Sequence, residues 1–126
     1  MSTHTFFAYL AVAILAGLAV FQAMLAAGRP LGRFAWGGQH DVLPQNLRTG
    51  SLVSILLYAV FAVIILERAR LLSLGFSTPS FAIWALAIYF TLGVFMNAIS
   101  RSKPERNVMT PVALLLAACC YALATG

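Results

Sequence analysis

The feature that most constrains this chain is a run of 22 residues, 6–27, without a charged side chain. As an α-helix this run is about 33 Å long at about 1.5 Å per residue, and the hydrocarbon core of a bilayer is about 30 Å thick. A helix also satisfies its own backbone hydrogen bonds, as lipid requires. The run therefore predicts a transmembrane helix.

Three further apolar runs follow, at about residues 50–66, 81–99 and 108–124, and each has 17 to 19 residues. These lengths lie within the range that spans a bilayer. The whole chain of 126 residues is 62% hydrophobic and 9% charged, which is outside the usual range of soluble domains. We therefore predict one all-α transmembrane domain over residues 1–126, an up-down-up-down four-helix bundle.

The five prolines are expected in connections or in the first turn of a helix. Thr78-Pro79 and Thr110-Pro111 each place a hydroxyl before a proline, an order that is typical of helix N-termini. The third and fourth helices are thus predicted to begin near Pro79 and Pro111.

The cationic residues lie in the connections between the apolar runs. The first and third connections, which share one side of the membrane, hold Arg29, Arg33, Arg48, Arg101, Lys103 and Arg106, and the second holds Arg68 and Arg70. The positive-inside rule therefore predicts cytoplasmic loops at 28–49 and 100–107 and both termini outside. The first run has no basic segment before it, so we expect a retained helix and not a signal peptide.

The net charge of +5 indicates the kind of partner that the loops bind. Cations beside apolar spans bind the anionic headgroups of membrane lipids, whereas nucleic-acid binding requires a basic face in water. We expect contact with anionic lipid and no contact with nucleic acid.

The first connection, residues 28–48, mixes glycines, aromatic rings and charges. It is either an ordered cap over the cytoplasmic mouth, turned by Gly37-Gly38 and carrying the proton-active pair His40-Asp41, or an interfacial segment. In the second interpretation, which we favour, Trp36 and Phe34 lie at headgroup depth and the arginines contact phosphates. The binding candidates of both cytoplasmic loops are Arg29, Arg33, Trp36, His40, Asp41, Arg48, Asn97, Arg101, Lys103 and Arg106.

Polar side chains within the spans are few. In a transporter, the polar path would consist of Gln22, Tyr58, Tyr89 and Asn97. Gln22 and Asn97 lie at similar depth, so a hydrogen bond between the first and third helices is expected. No carboxylate or cation is predicted at mid-membrane, which argues against proton-coupled and cation-exporting transporters.

No catalytic residue, metal site or cofactor is predicted. Zinc needs three or four ligands, and the histidine, cysteine and acidic residues are expected on different sides or at different depths. Cys119-Cys120 lacks the two-residue spacer of quinone-linked thiol oxidoreductases, so packing is its expected role. Glu67 is expected to pair with Arg68 and Arg70 at the interface.

Small residues at four-residue spacing favour close helix contacts. They occur in the first and fourth helices, at Ala19, Ala23, Ala27, Ala113 and Ala117. Such contacts form within one chain or between copies, so a homodimer is one expected assembly and another membrane protein is an alternative partner.

Two segments carry a resemblance: Arg-Pro-Leu-Gly-Arg-Phe-Ala-Trp-Gly-Gly-Gln-His at 29–40 and Asn-Ala-Ile-Ser-Arg-Ser-Lys-Pro-Glu-Arg at 97–106. With the length and the four spans, they resemble small four-helix bacterial inner-membrane proteins of unassigned function. The resemblance implies a bacterial inner membrane and no particular activity. Small multidrug resistance transporters differ, since they carry a glutamate in the first helix, and the signatures of fluoride channels are missing.

Three functional hypotheses remain open. The leading one is a non-enzymatic accessory or structural subunit whose six loop cations contact anionic lipid or an acidic protein, with no buried charge. The first alternative is a small transporter or channel gated by the first loop. The second is a membrane enzyme that acts on a lipid, with His40 and Asp41 as acid and base.

Overall fold

The structure, a computed structural model, describes residues 2–126. Over these residues it consists of four α-helices, two short 3₁₀ turns and connections, with no strand: α1 Thr3–Ala26, α2 Gln45–Arg68, α3 Ser80–Ala98 and α4 Lys103–Thr125. All four helices are long and apolar enough to cross a membrane. The prediction of an all-α membrane four-helix bundle is confirmed, and the chain is a multi-pass integral membrane protein.

The second and fourth helices begin earlier than their apolar runs. α2 begins at Gln45 and α4 at Lys103, because a helix continues through polar residues at the membrane boundary where hydropathy no longer detects it. Ser102 is the N-cap of α4: its Oγ accepts a hydrogen bond from the Glu105 N–H at 3.5 Å. The predicted cytoplasmic loop at 100–107 is therefore shorter, and most of it is the first turn of α4.

The expectation that Pro111 begins a helix is wrong, since it lies inside α4. Membrane helices tolerate an internal proline because neighbouring groups satisfy the freed backbone. The Thr110 hydroxyl caps nothing and is buried without a hydrogen-bond partner among the residues described. Pro79 is the N-cap residue of α3, but the hydroxyl of Thr78 donates to the Glu67 carboxylate instead of capping that helix.

The end of the bundle opposite the first connection is held by Arg68. Its Nε and Nη2 donate to the carbonyls of Leu123 and Ala124 at 3.0 and 3.2 Å. These carbonyls are among the last of α4, which have no partner within the helix. The expected pairing of Glu67 with Arg68 is therefore wrong, because each side chain has a different partner.

The four helices form two hairpins, α1–α2 and α3–α4, which pack together mainly through α1 and α4. Fully buried Ala8 and Ala11 lie on the packed face of α1, where small side chains allow close approach. Ala113 and Ala117 of α4 are buried as well, whereas Ala23 and Ala27 of α1 are exposed. The small residues of α4 thus serve contacts within the chain.

α2 and α3 contact one another only sparsely. Phe61 of α2 joins them: its ring centroid lies 5.3 Å from that of Tyr89 and 5.7 Å from that of Phe90, both with edge-to-face geometry. Such pairs are favourable for aromatic rings. Between this aromatic contact and the first connection, space remains between the two hairpins.

Candidate functional site

Residues 28–44 fold into an ordered segment over one end of the bundle, here called the cap. It contains two 3₁₀ turns, Gly32–Phe34 and Trp36–Gly38. Gly37 and Gly38 have φ values of 76° and 71°, and Trp36, the first residue of the second turn, has φ 53°. The turn expected at Gly37-Gly38 is present, and it returns the chain to the first turn, where the Gly32 N–H donates to the Asp41 carbonyl.

Hydrogen bonds to α2 and to the start of α4 tie the cap to the helices. The Ser102 hydroxyl donates to the Arg33 carbonyl. The Gly37 N–H donates to Oε2 of Glu105 at 3.2 Å, and the Trp36 Nε1–H donates to Oγ of Ser51, a fully buried residue, at 3.3 Å. These bonds therefore join the cap to the start of α4, although Gly37 and Glu105 are 68 residues apart along the chain.

Close packing explains the glycines around the cap. A Cβ at Gly32 would lie 1.7 Å from the carbonyl oxygen of His40, and a Cβ at Gly38 would lie 2.4 Å from the Cβ of Ser102. A Cβ at Gly50 would lie 2.9 Å from the Trp36 ring. Each glycine therefore permits a contact that a larger residue excludes.

The six cations expected on one side lie at the capped end of the bundle. Arg48 donates from Nε to the Leu43 carbonyl at 2.9 Å, and Arg106 donates from Nη1 to the Ser100 carbonyl at 3.1 Å. These two side chains therefore hold the cap and the third connection. The remaining charged residues of the predicted set, all with exposed side chains, are Arg29, Arg33, His40, Asp41, Arg101 and Lys103.

A cavity of about 570 Å³ lies beneath the cap, between the two hairpins. Its wall includes Trp36 from the cap and side chains from all four helices. The polar residues that line it are Gln22, Ser54, Tyr58, Tyr89, Asn97 and Glu105. All four residues of the predicted polar path are in this wall, whereas His40 and Asp41 lie outside it.

Gln22 and Asn97 do not bond to each other, so that expectation is wrong. Nε2 of Gln22 donates to the Tyr58 hydroxyl at 3.3 Å, and Nδ2 of Asn97 donates to the Gly93 carbonyl of its own helix at 2.8 Å. The Gln22 carbonyl oxygen is buried and has no hydrogen-bond partner among the described residues. The surrounding protein covers this oxygen, so it is not open to a ligand in the cavity.

Glu105 is the charged residue that sequence reasoning missed. Its side chain is 7% exposed, and it is the one acidic or basic residue among the described residues that line the cavity. The expectation of no buried charge is wrong, because α4 begins at Lys103 and directs Glu105 inwards. The spacing Ser102-x-x-Glu105 is that of a capping box, a pattern that predicts this helix start.

The acidic and amide side chains of the cavity wall lie near the cap, whereas Tyr89 and Leu116 line it deeper in the bundle. Glu105 and Leu116 both line it from α4, and their separation of 11 residues corresponds to about 16 Å along the helix axis. Asn97 lies at the cap end of α3, whereas Phe90 lies two turns deeper. The site therefore spans roughly half of a hydrocarbon core of about 30 Å.

Cys119 and Cys120 are buried in the helix core and do not line the cavity. Within residues 2–126, no group of three or more histidine, cysteine or acidic side chains is arranged to hold a metal ion. No protein-family model, curated protein or solved structure matches this chain.

Proposed function

We propose that this chain is a small-molecule binding or transport protein that takes an amphipathic molecule from the bilayer into the cavity beneath the cap. The supporting observation is a cavity of about 570 Å³ with an aromatic and aliphatic wall, in which Gln22, Asn97 and Glu105 lie near the cap. Ligand sites have volumes of roughly 300–1,000 Å³ and the same combination of apolar walls with a few polar groups.

The axial arrangement favours an amphipathic ligand. A polar headgroup beneath the cap would be close to Asn97 and Glu105, and an apolar tail would extend towards Leu116. A fully polar solute would leave the deep apolar wall without a partner, and a hydrocarbon would leave the Glu105 carboxylate without one.

The gap between α2 and α3 offers access from lipid. These helices contact one another sparsely, and Leu92 and Met96 of α3 both line the cavity and remain exposed, Met96 by 67%. Neither side chain is covered by α2. A lipid-like molecule would therefore enter sideways, without crossing the cap.

Trp36 provides a test because it lines the cavity and only one other tryptophan, Trp84, is present. In the Trp84→Phe variant, a nitroxide-labelled amphiphile in detergent should quench Trp36 fluorescence in a saturable manner. Saturation is expected because a single binding site fills, whereas partition into the micelle gives quenching that rises linearly.

Filling the cavity should remove the saturable quenching. Ser54→Phe places a ring in the cavity, and Val53→Phe, the matched control, places one on an exposed face of the same helix. We expect loss of saturation with the first variant and no change with the second. Linear quenching in the parent protein, or equal saturation in both variants, would reject the proposed function.

We also propose that the capped end faces the cytoplasm of a bacterial inner membrane and contacts anionic headgroups. Four cations with exposed side chains at this end support the proposal: Arg29, Arg33, Arg101 and Lys103. Anionic lipids attract such clusters, and the positive-inside rule gives the same orientation. An acidic face of a membrane protein partner would be bound by the same charges.

The orientation can be tested with single added cysteines in a Cys119→Ala, Cys120→Ala background. His40→Cys lies in the exposed cap, and Ser73→Cys lies in the exposed connection at the opposite end. A maleimide that does not cross membranes should label only Ser73→Cys in intact cells and both variants after lysis. Labelling of His40→Cys in intact cells would refute this orientation.

A further inference from the structure

We infer that the headgroup bound in the cavity is cationic, an amine or quaternary ammonium that Glu105 holds beneath the cap. This inference rests on the proposed function and specifies the class of its ligand. It arises from the position of one acidic side chain, in a wall that otherwise consists of neutral groups.

The charges of the capped end are divided between two surfaces. Arg29, Arg33, Arg101 and Lys103 have exposed side chains, and none of them belongs to the described cavity wall. The wall contains the carboxylate of Glu105, which is 7% exposed. An anionic headgroup inside the cavity would therefore meet a carboxylate and no counter-charge, whereas a cation would be paired.

The hydrogen bonds of Glu105 leave room for a ligand. Oε2 accepts the Gly37 N–H at 3.2 Å, while Oε1 accepts no hydrogen bond from the described residues. Oε1 of Glu105 is therefore the acceptor that remains for a headgroup carrying positive charge or N–H groups.

Three aromatic rings of the cavity wall favour the same class of ligand. Trp36, Tyr58 and Tyr89 line the cavity together with Glu105. Aromatic faces attract cations within about 6 Å, tryptophan most strongly, and quaternary ammonium groups are recognised in this way. The carboxylate supplies charge, and the rings supply contacts that tolerate an ammonium with several methyl groups.

Glu105 also has a structural role, which the test must separate from binding. As the third residue of α4 it holds the cap by accepting the Gly37 N–H, a role that needs only a hydrogen-bond acceptor. Glutamine retains such an acceptor and removes the charge. Glu105→Gln therefore changes electrostatics with little change in the cap, and Asp41→Asn removes an exposed carboxylate of the cap as a matched control.

The test uses three nitroxide-labelled amphiphiles with the same chain and an ammonium, an alcohol or a sulfate headgroup, titrated into the Trp84→Phe protein. We expect the ammonium to bind about tenfold more tightly than the alcohol, and the sulfate more weakly than either. Glu105→Gln should abolish this order. Asp41→Asn should retain the order.

Equal affinity for the ammonium and the alcohol in the parent protein would overturn the inference, and so would tighter binding of the sulfate. Both results need no substitution at Glu105, so they stand even if that variant does not fold. Saturable binding without headgroup preference would leave the proposed function intact and reject the cation. Absence of saturable binding for all three amphiphiles would reject the proposed function itself.

Discussion

Replacing Gly38 with alanine is expected to lower the free energy of unfolding by about 3 kcal/mol or more, because strain and steric overlap act together. Gly38 has φ 71°, and the added Cβ would lie 2.4 Å from the Cβ of Ser102 and 3.2 Å from the Arg33 carbonyl oxygen. Ser102 and Arg33 form a hydrogen bond that ties the cap to α4. Thermal unfolding in detergent, followed by circular dichroism, measures the change.

Gly75→Ala is the matched control for this substitution. Gly75 has φ 79°, and a Cβ there would meet nothing within 4 Å. Backbone strain alone should therefore lower the free energy of unfolding by roughly 1–2 kcal/mol. A loss at Gly38 no larger than that at Gly75 would show that the cap does not pack against Ser102 as described.

Ala11→Leu is expected to give the second large loss of stability. Ala11 is fully buried in the cluster that joins α1 to the other helices, where the bundle has no space for an isobutyl group. Overpacking of this kind costs about 1–3 kcal/mol, and bundles held by small residues in lipid depend on close approach of their backbones. Unfolding in mixed micelles of increasing SDS content measures the loss.

Ala13→Leu provides the comparison because Ala13 lies on the same helix with an exposed side chain. In a membrane that side chain contacts lipid, so leucine should leave stability within about 0.5 kcal/mol of the parent protein. If Ala13→Leu proved as destabilising as Ala11→Leu, the described packed face of α1 would be incorrect.

The membrane spans were predictable because their signal is local. Each apolar run is long enough to be recognised without its neighbours. The helix starts were harder to predict. Pro111 suggested the start of the fourth helix, but the structure places that start at Lys103, because hydropathy does not detect a polar first turn. Ser102-x-x-Glu105 carried the correct signal, but the charges around it also fitted a solvated loop.

The cap and its cavity depend on contacts between distant residues. Gln22, Tyr58, Tyr89 and Asn97 were recognisable as polar groups within apolar spans, and the cavity brings them into one wall. Whether they conduct a solute stays a prediction. The inward direction of Glu105 follows from its bond to Gly37, 68 positions away, which no local pattern reveals.

The sparse contact between α2 and α3 has a mechanical consequence. The cap belongs to the first hairpin by chain connectivity, yet Arg33 and Gly37 are bonded to Ser102 and Glu105 of the second. Farther from the cap, the bond from Arg68 to the Leu123 carbonyl and the contact between the rings of Phe61 and Tyr89 hold the hairpins together. Separating the two hairpins at the capped end must therefore break the bonds of the cap to α4. The cavity then opens to the surrounding lipid and the cap loosens in the same event.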